Sequence, residues 1–151
     1  MNAFPTITPA ERRTAIDRLR AENCSCVICN RGIFRSFRER GVRDLYRLLR
    51  EEPEALRGAF VADKVVGKGA AALMVLGGVQ GVFAGVASTP ALELFRTAGI
   101  EAECACEVPH IVNRAGTGLC PVETLCLPLH TPEECLRQIE MFLKRTNPTG
   151  K

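Results

Sequence analysis

No stretch of this 151-residue chain is apolar for the roughly 18 residues that a membrane-crossing helix requires. The longest candidate, residues 70–87, is interrupted by Gly77, Gly78, Gln80, Gly81 and Gly85, which excludes a bilayer span there. The first residues, MNAFPT, have neither a basic start nor an apolar stretch. A secretory signal is therefore not expected, and the expected location is cytoplasmic. Thirteen glycines and nine prolines are dispersed, so no low-complexity or linker segment divides the chain. Only two histidines occur, His110 and His130, each beside a proline-containing segment. Isolated in this way, they offer poor material for metal ligation.

What the chain does have is an ordinary globular balance, 46% hydrophobic and 25% charged, sized for a single domain over residues 1–151. Eight cysteines in a reducing compartment are expected to behave as small buried apolar residues rather than as disulfides. Cys24, Cys26 and Cys29, with Cys104 and Cys106, raise the alternative of a cysteine-rich metal-binding module. C-x-C spacing on extended chain lacks the tight turn of a zinc knuckle, and alternation places Cys24 and Cys26 on one face with Cys29 on the other. No metal site is predicted.

Charge is uneven. Residues 1–60 carry twelve arginines against eight acidic residues, while the rest has eight basic and nine acidic ones. Arg31, Arg35, Arg38, Arg40, Arg43, Arg47 and Arg50 form a basic stretch that could meet phosphates. Glu39, Asp44, Glu51 and Glu52 lie among them, the pattern of a solvated helical surface. Nucleic acid is not the expected partner.

Thr8 and Glu11 have capping-box spacing, and Ala15, Ile16 and Leu19 form one stripe of a helix over about residues 8–22. Residues 24–29 (CSCVIC) read as a strand, Asn30-Arg31-Gly32 as a turn, and 33–37 as the returning strand. A helix from Gly41 carries Val42, Leu45, Tyr46, Leu48 and Leu49, and Pro53 ends it. From residue 58 the pattern is strand (58–63), small-residue helix (65–76), strand (79–87), helix to Ala98, and strand (100–106). Such alternation implies parallel pairing with helices over the sheet. With the hairpin this makes a five-stranded mixed sheet in a three-layer αβα sandwich. Residues 107–119 form a long connection, then a short helix starts at Cys120-Pro121. A last amphipathic helix, about 131–146, carries Leu136, Ile139, Phe142 and Leu143.

The segments DKVVGKGAAALMVLGG and NRAGTGLCPVE, with the hairpin before them, closely resemble an uncharacterised bacterial family of domains of unknown function. The resemblance covers the core, residues 24–126, and implies a cytidine deaminase-like fold. Zinc deaminases of that architecture place His or Cys, with a Glu two positions on, at one helix start, and Pro-Cys-x-x-Cys at the next. Here those positions read Val66-Gly67-Lys68-Gly69 and Thr89-Pro90-Ala91-Leu92-Glu93. All three ligands and the acid–base Glu are missing, so zinc-dependent deamination is not expected, and no cofactor is predicted.

Candidate site residues cluster late in the chain. Cys120, before a proline suited to the first helical position, would sit at a helix N-terminus, where a thiolate is favoured. Glu123 could reach back to the Cys120 backbone as in a capping box. The alternative is a structural cysteine with an ordinary cap. Asn113, Arg114, Thr117 and Gly118 could cradle an anion, Arg114 supplying charge. Lys64 and Lys68 flank a helix start at the carboxyl ends of the strands, where α/β proteins bind ligands. These residues could equally be loop polars and surface lysines. Asp63, at a strand end, could cap the following helix or enter the crevice, and capping is the preferred reading. The leading functional expectation is binding of a small anionic, nucleotide-like ligand without zinc chemistry. The alternatives are a thiol-dependent enzyme using Cys120 and the metal-binding module above. Homo-oligomers are a further partnership left open.

Overall fold

A computed structural model of the protein describes residues 6–39, 42–113 and 116–146. Helix α1 (Pro9–Ala21) starts with the expected capping box. The Thr8 side chain accepts from the Glu11 N–H, and Glu11 accepts from the Thr8 N–H. Strands β1 (Cys26–Asn30) and β2 (Ile33–Phe37) pair antiparallel, with Asn30 opposite Ile33. The two turn residues, Arg31 and Gly32, have φ of 52° and 78°. Two positive φ values in a two-residue loop match the strand twist, as in a type I′ hairpin.

Helix α2 (Arg43–Glu51) buries Leu45 and Leu48. Pro53 does not merely end it. Proline suits a first helical position, and a short helix α3 (Pro53–Leu56) begins there. The Asn30 amide donates to the carbonyls of Glu54, Ala55 and Arg57, tying α3 to the end of β1.

Next come β3 (Phe60–Val66), α4 (Lys68–Gly77), β4 (Gly81–Ser88), α5 (Thr89–Ala98) and β5 (Glu101–Val108). The sheet order is β2-β1-β3-β4-β5. β1 runs antiparallel to both neighbours, while β3, β4 and β5 are mutually parallel. This is the expected five-stranded mixed sheet. The short α6 (Pro121–Cys126) and α7 (Pro132–Thr146) complete the described elements. No helix among the described residues is long and apolar enough to cross a membrane.

Two apolar clusters put the sheet between helical layers. One joins Leu45 and Leu48 of α2, α4, Phe95 of α5 and Ile139 of α7 to the sheet residues Ile28, Val61, Val82 and Ala84. The other seats Ala15 and Leu19 of α1 on Val27, Phe60 and Ala62 of the opposite face. Burial of this kind stabilises by about 25 cal/mol per Å² of apolar surface. It is the main reason the weakly amphipathic α4, with Ala70 to Met74 all buried, is held as a helix.

β3 is longer than the sequence pattern predicts. Pairing continues as Val65 to Val86 and Val66 to Ala87, although the apolar pattern is broken by Asp63-Lys64. Val61 and Val66, five positions apart, bury in the same cluster, so strict alternation fails between them. Lys64 and Val65 are both exposed there, Val65 at 49%. A side-chain period of two cannot reveal such a shift.

Three arginines of the stretch are neutralised locally. Arg35 pairs with Glu52, Arg47 with Asp44, and Arg50 with Glu140. Arg40 lies outside the described residues.

Candidate functional site

A cleft of about 1000 Å³ opens at the carboxyl end of β3. Its walls come from residues 23–25 before β1, Arg38, Val42, β3, the start of α4, residues 111–113, and the start of α6. Apolar surface is supplied by Val42, Val65, Ile111, Val112 and Val122, and charge by Arg38, Asp63, Lys64 and Glu123. Location past the strand ends is where open α/β sheets place ligands.

Glu123 organises one side. It is 1% exposed. Its Oε1 accepts from the Lys68 N–H at 2.7 Å and from Ser88 Oγ at 3.4 Å, and its Oε2 accepts from the Ile111 N–H at 2.6 Å. Lys68 is the first residue of α4, and Ser88 is the N-cap of α5, accepting from the Ala91 N–H. One carboxylate thus serves the starts of two helices and pins the loop at Ile111. The expected capping box with Cys120 does not form. Cys120 is the N-cap of α6 without a side-chain cap bond, because the Glu123 carboxylate is used across the fold. Gly67 permits this approach, since a Cβ there would lie 3.1 Å from Glu123 Oε1.

Lys68 is corrected likewise. Its neighbours Gly67 and Gly69 line the cleft, but its ammonium donates to the Leu127 carbonyl at 3.1 Å and the Leu129 carbonyl at 2.6 Å. A cation beyond the C-terminus of α6 is well placed against the helix dipole. It is therefore spent on structure and does not reach a ligand in the cleft. Lys64 is exposed and does line the cleft.

The predicted anion cradle is used up by its own loop. The Thr117 N–H donates to Asn113 Oδ1 at 3.1 Å, and the Asn113 amide donates to Thr117 Oγ1 at 3.2 Å. The Asn113 N–H donates to the Gly118 carbonyl, and Val112 bridges Leu119. Asn113 lines the cleft; Thr117 and Gly118 are exposed and do not. Arg114 lies outside the described residues. Cys120 is half-buried in the cleft wall, and its N–H donates to the Ile111 carbonyl. Among the described residues no hydrogen bond joins its sulfur to a base, and His110 is exposed.

Asp63 is the group that the sequence undervalued. It sits within β3 rather than at a helix start, and α4 has Gly67 as N-cap with no side-chain bond. It is 7% exposed, faces Cys26 of β1 in register, and lines the cleft. Burial pushes its carboxyl up to about 7, against the Val65 and Lys64 N–H groups, which favour the ionised form; Asp44 adds to the rise. Cys26 is itself driven well upward by burial and by the charges of Asp63 and Asp44. A polar residue between two apolar runs of one strand was the available signal.

The remaining cysteines are dispersed. Cys26 buries on the multi-helix face, whereas Cys24 and Cys29 bury beneath α1. Cys24 thus departs from the expected shared face with Cys26, because it precedes β1 and strand alternation does not govern it. Cys126 and Cys135 are wholly buried and share a side-chain hydrogen bond, which holds the Cys126 thiol up. Among the described residues no three His, Cys, Asp or Glu side chains gather as a metal site would need.

These features define an α/β protein with a five-stranded mixed sheet flanked by helices and a cleft past the carboxyl end of β3. A family model described as "Domain of unknown function (DUF1893)" matches residues 14–143, and the chain belongs to that family. The crystal structure of a DUF1893 family protein from Thermotoga maritima is similar to it, with a TM-score of 0.83 at 25% identity, covering 93% of this chain and 95% of that one. No curated protein matches the chain.

Proposed function

We propose that the cleft binds a small anionic ligand of nucleotide-like character, and that it does so without zinc chemistry. The observation that carries this reading is the pairing of apolar walls with a cationic rim. Val42, Val65, Ile111 and Val122 offer surface for a flat or apolar moiety, while Arg38 and Lys64 stand at the same cleft. Neither cation has an ion-pair partner among the described residues. Small-molecule sites combine largely apolar walls with a few placed polar groups in this way.

We read the architecture as cytidine deaminase-like. The starts of α4 and α5 lie close enough for one carboxylate, Glu123, to bond at both, and metal-dependent members of that architecture load such helix starts with ligands. The residues here do not fit a zinc ion. Gly67, Lys68, Ser88 and Thr89 supply no Cys or His, and the single carboxylate is already satisfied by three donors.

Thermal unfolding in the presence of nucleoside monophosphates, pyrophosphate and phosphate tests the reading. A ligand at a hundred times its Kd would stabilise by about 2.7 kcal/mol. Lys64→Glu combined with Arg38→Glu should abolish the shift. If no anion raises the midpoint of the wild-type protein, the reading fails.

A further inference from the structure

Asp63 is a buried carboxylate of the cleft with no cationic partner among the described residues. Asp63 is 93% removed from solvent, being 7% exposed, yet it lines the cleft. Its Oδ1 accepts from the Val65 N–H at 3.3 Å, and the Lys64 N–H is its other local donor. No Lys or Arg pairs with it among the described residues. The elements packed around it bring no relief. β1 contributes the Cys26 thiol opposite it, with Cys24 just before that strand, and β4 contributes Ala84 in register. From α2 comes another carboxylate, Asp44, whose oxygens are occupied by Arg47 and the Glu39 N–H. Arg38 and Lys64 are exposed rim groups. A buried carboxylate normally has a cation or several hydrogen-bond donors. Here Asp63 lines space that a ligand would fill.

We infer that Asp63 is the recognition point for a cationic or N–H-rich group of the ligand, such as an amidinium, a guanidinium or an aminopyrimidine edge. A carboxylate receives such groups through forked, charge-assisted hydrogen bonds. The ligand then carries a donor group at Asp63 and its anionic group towards Arg38 and Lys64. This assignment rests on the reading of the cleft as a ligand site. The elevated pKa of the free carboxyl has a direct consequence. An incoming cation must find it ionised, so affinity rises with pH up to about 7 and then levels off.

The test uses the full chain, ¹⁵N-labelled, with benzamidine as the charged probe and benzamide as its neutral counterpart. At pH 8 benzamidine should shift the Val65 and Lys64 amides and bind about tenfold or more tighter than benzamide, the range for a hydrogen bond to a charged group. Asp63→Asn, which keeps the shape, should remove that preference, and Asp63→Glu should restore part of it. In the wild-type protein the preference should fade as pH drops below about 7. Equal binding of both probes, or a preference that survives in Asp63→Asn, overturns the assignment. If phosphate ligands stabilise the protein but benzamidine shows no preference, the Asp63 assignment falls and the anion reading stands. If benzamidine binds through Asp63 but no anion does, the anion reading falls alone. If neither class binds, both fall.

Discussion

Glu123 and Asp63 line the same cleft and are both almost wholly buried, but the chain supports them very differently. Glu123 receives two backbone N–H groups and a hydroxyl from three separate elements of the chain. Among the described residues, Asp63 has the N–H groups of the two residues that follow it as its donors. A carboxylate answered by converging donors is a structural part, since removing it would orphan those donors. A carboxylate left with local donors and open space costs stability, and such a cost is typical of binding and catalytic positions. The contrast separates the part of the cleft that holds the fold together from the part available to a ligand.

The largest expected effect comes from the structural side. Glu123→Ala should destabilise by about 3–5 kcal/mol, since two buried N–H groups lose their acceptor at the start of α4 and at Ile111. Urea unfolding measures this, and a loss below about 1 kcal/mol would mean that water replaces the carboxylate readily. Glu123→Gln, which keeps one acceptor oxygen, should lose less.

Asp63→Asn should do the opposite. A carboxyl whose folded pKa is raised from 3.8 to about 7 holds its proton more tightly folded than unfolded. The wild-type protein therefore loses stability as pH rises from about 4 to about 7, and the loss is complete above that. Asparagine does not ionise, so the variant escapes this loss. Its advantage should be small at pH 4 and about 4 kcal/mol at pH 8. A difference that does not vary with pH would place Asp63 in a wetter site than its burial indicates.

The two lysines sharpen the same contrast. Lys68→Met should cost about 1–2 kcal/mol and leave anion affinity unchanged, because its ammonium serves the Leu127 and Leu129 carbonyls. Lys64→Met should change stability by less than about 0.5 kcal/mol but weaken the bound anion. Parallel denaturation and binding titrations on both variants compare them directly. Gly67→Ala should cost about 1 kcal/mol. Its methyl would meet Glu123 Oε1 and Ile111 Cγ1, each at 3.1 Å, so the carboxylate must shift slightly. Amide shifts of Lys68 and Ile111 should report that movement.

Much of the fold was legible because its signals are local. The Thr8/Glu11 capping box, the Arg31-Gly32 turn and the proline-led starts of α5 and α6 depend on residues within a few positions of one another. The alternation of strands and helices from β3 to β5 carried the parallel pairing. Legibility stopped where the partner was distant. Proline after α2 reads as a stop, but the carbonyls of the α3 segment are gathered by Asn30, more than twenty positions earlier. β3 continues through Lys64 and Val65 because β4 offers partners for Val65 and Val66. At the site, Lys64, Asn113, Cys120 and Glu123, which the sequence singled out, all line the cleft. The sequence offered Lys68 as a ligand group, although its ammonium serves the Leu127 and Leu129 carbonyls, and preferred a cap at Asp63 to a place in the crevice.

The sequence by itself determined the kinds of element, their order, and the absence of His or Cys from the two helix starts. These follow from hydrophobic period, cap chemistry and residue identity, which need no third dimension. Only the tertiary structure decided which charge each polar group would meet. Lys68 and Glu123 lie 55 positions apart, and nothing in their spacing says that the lysine gives its backbone N–H to the glutamate and its ammonium elsewhere. Desolvation has the same character. Asp63 acquires its raised pKa from burial and from the nearby Asp44, and that environment exists only once the sheet has closed over its core.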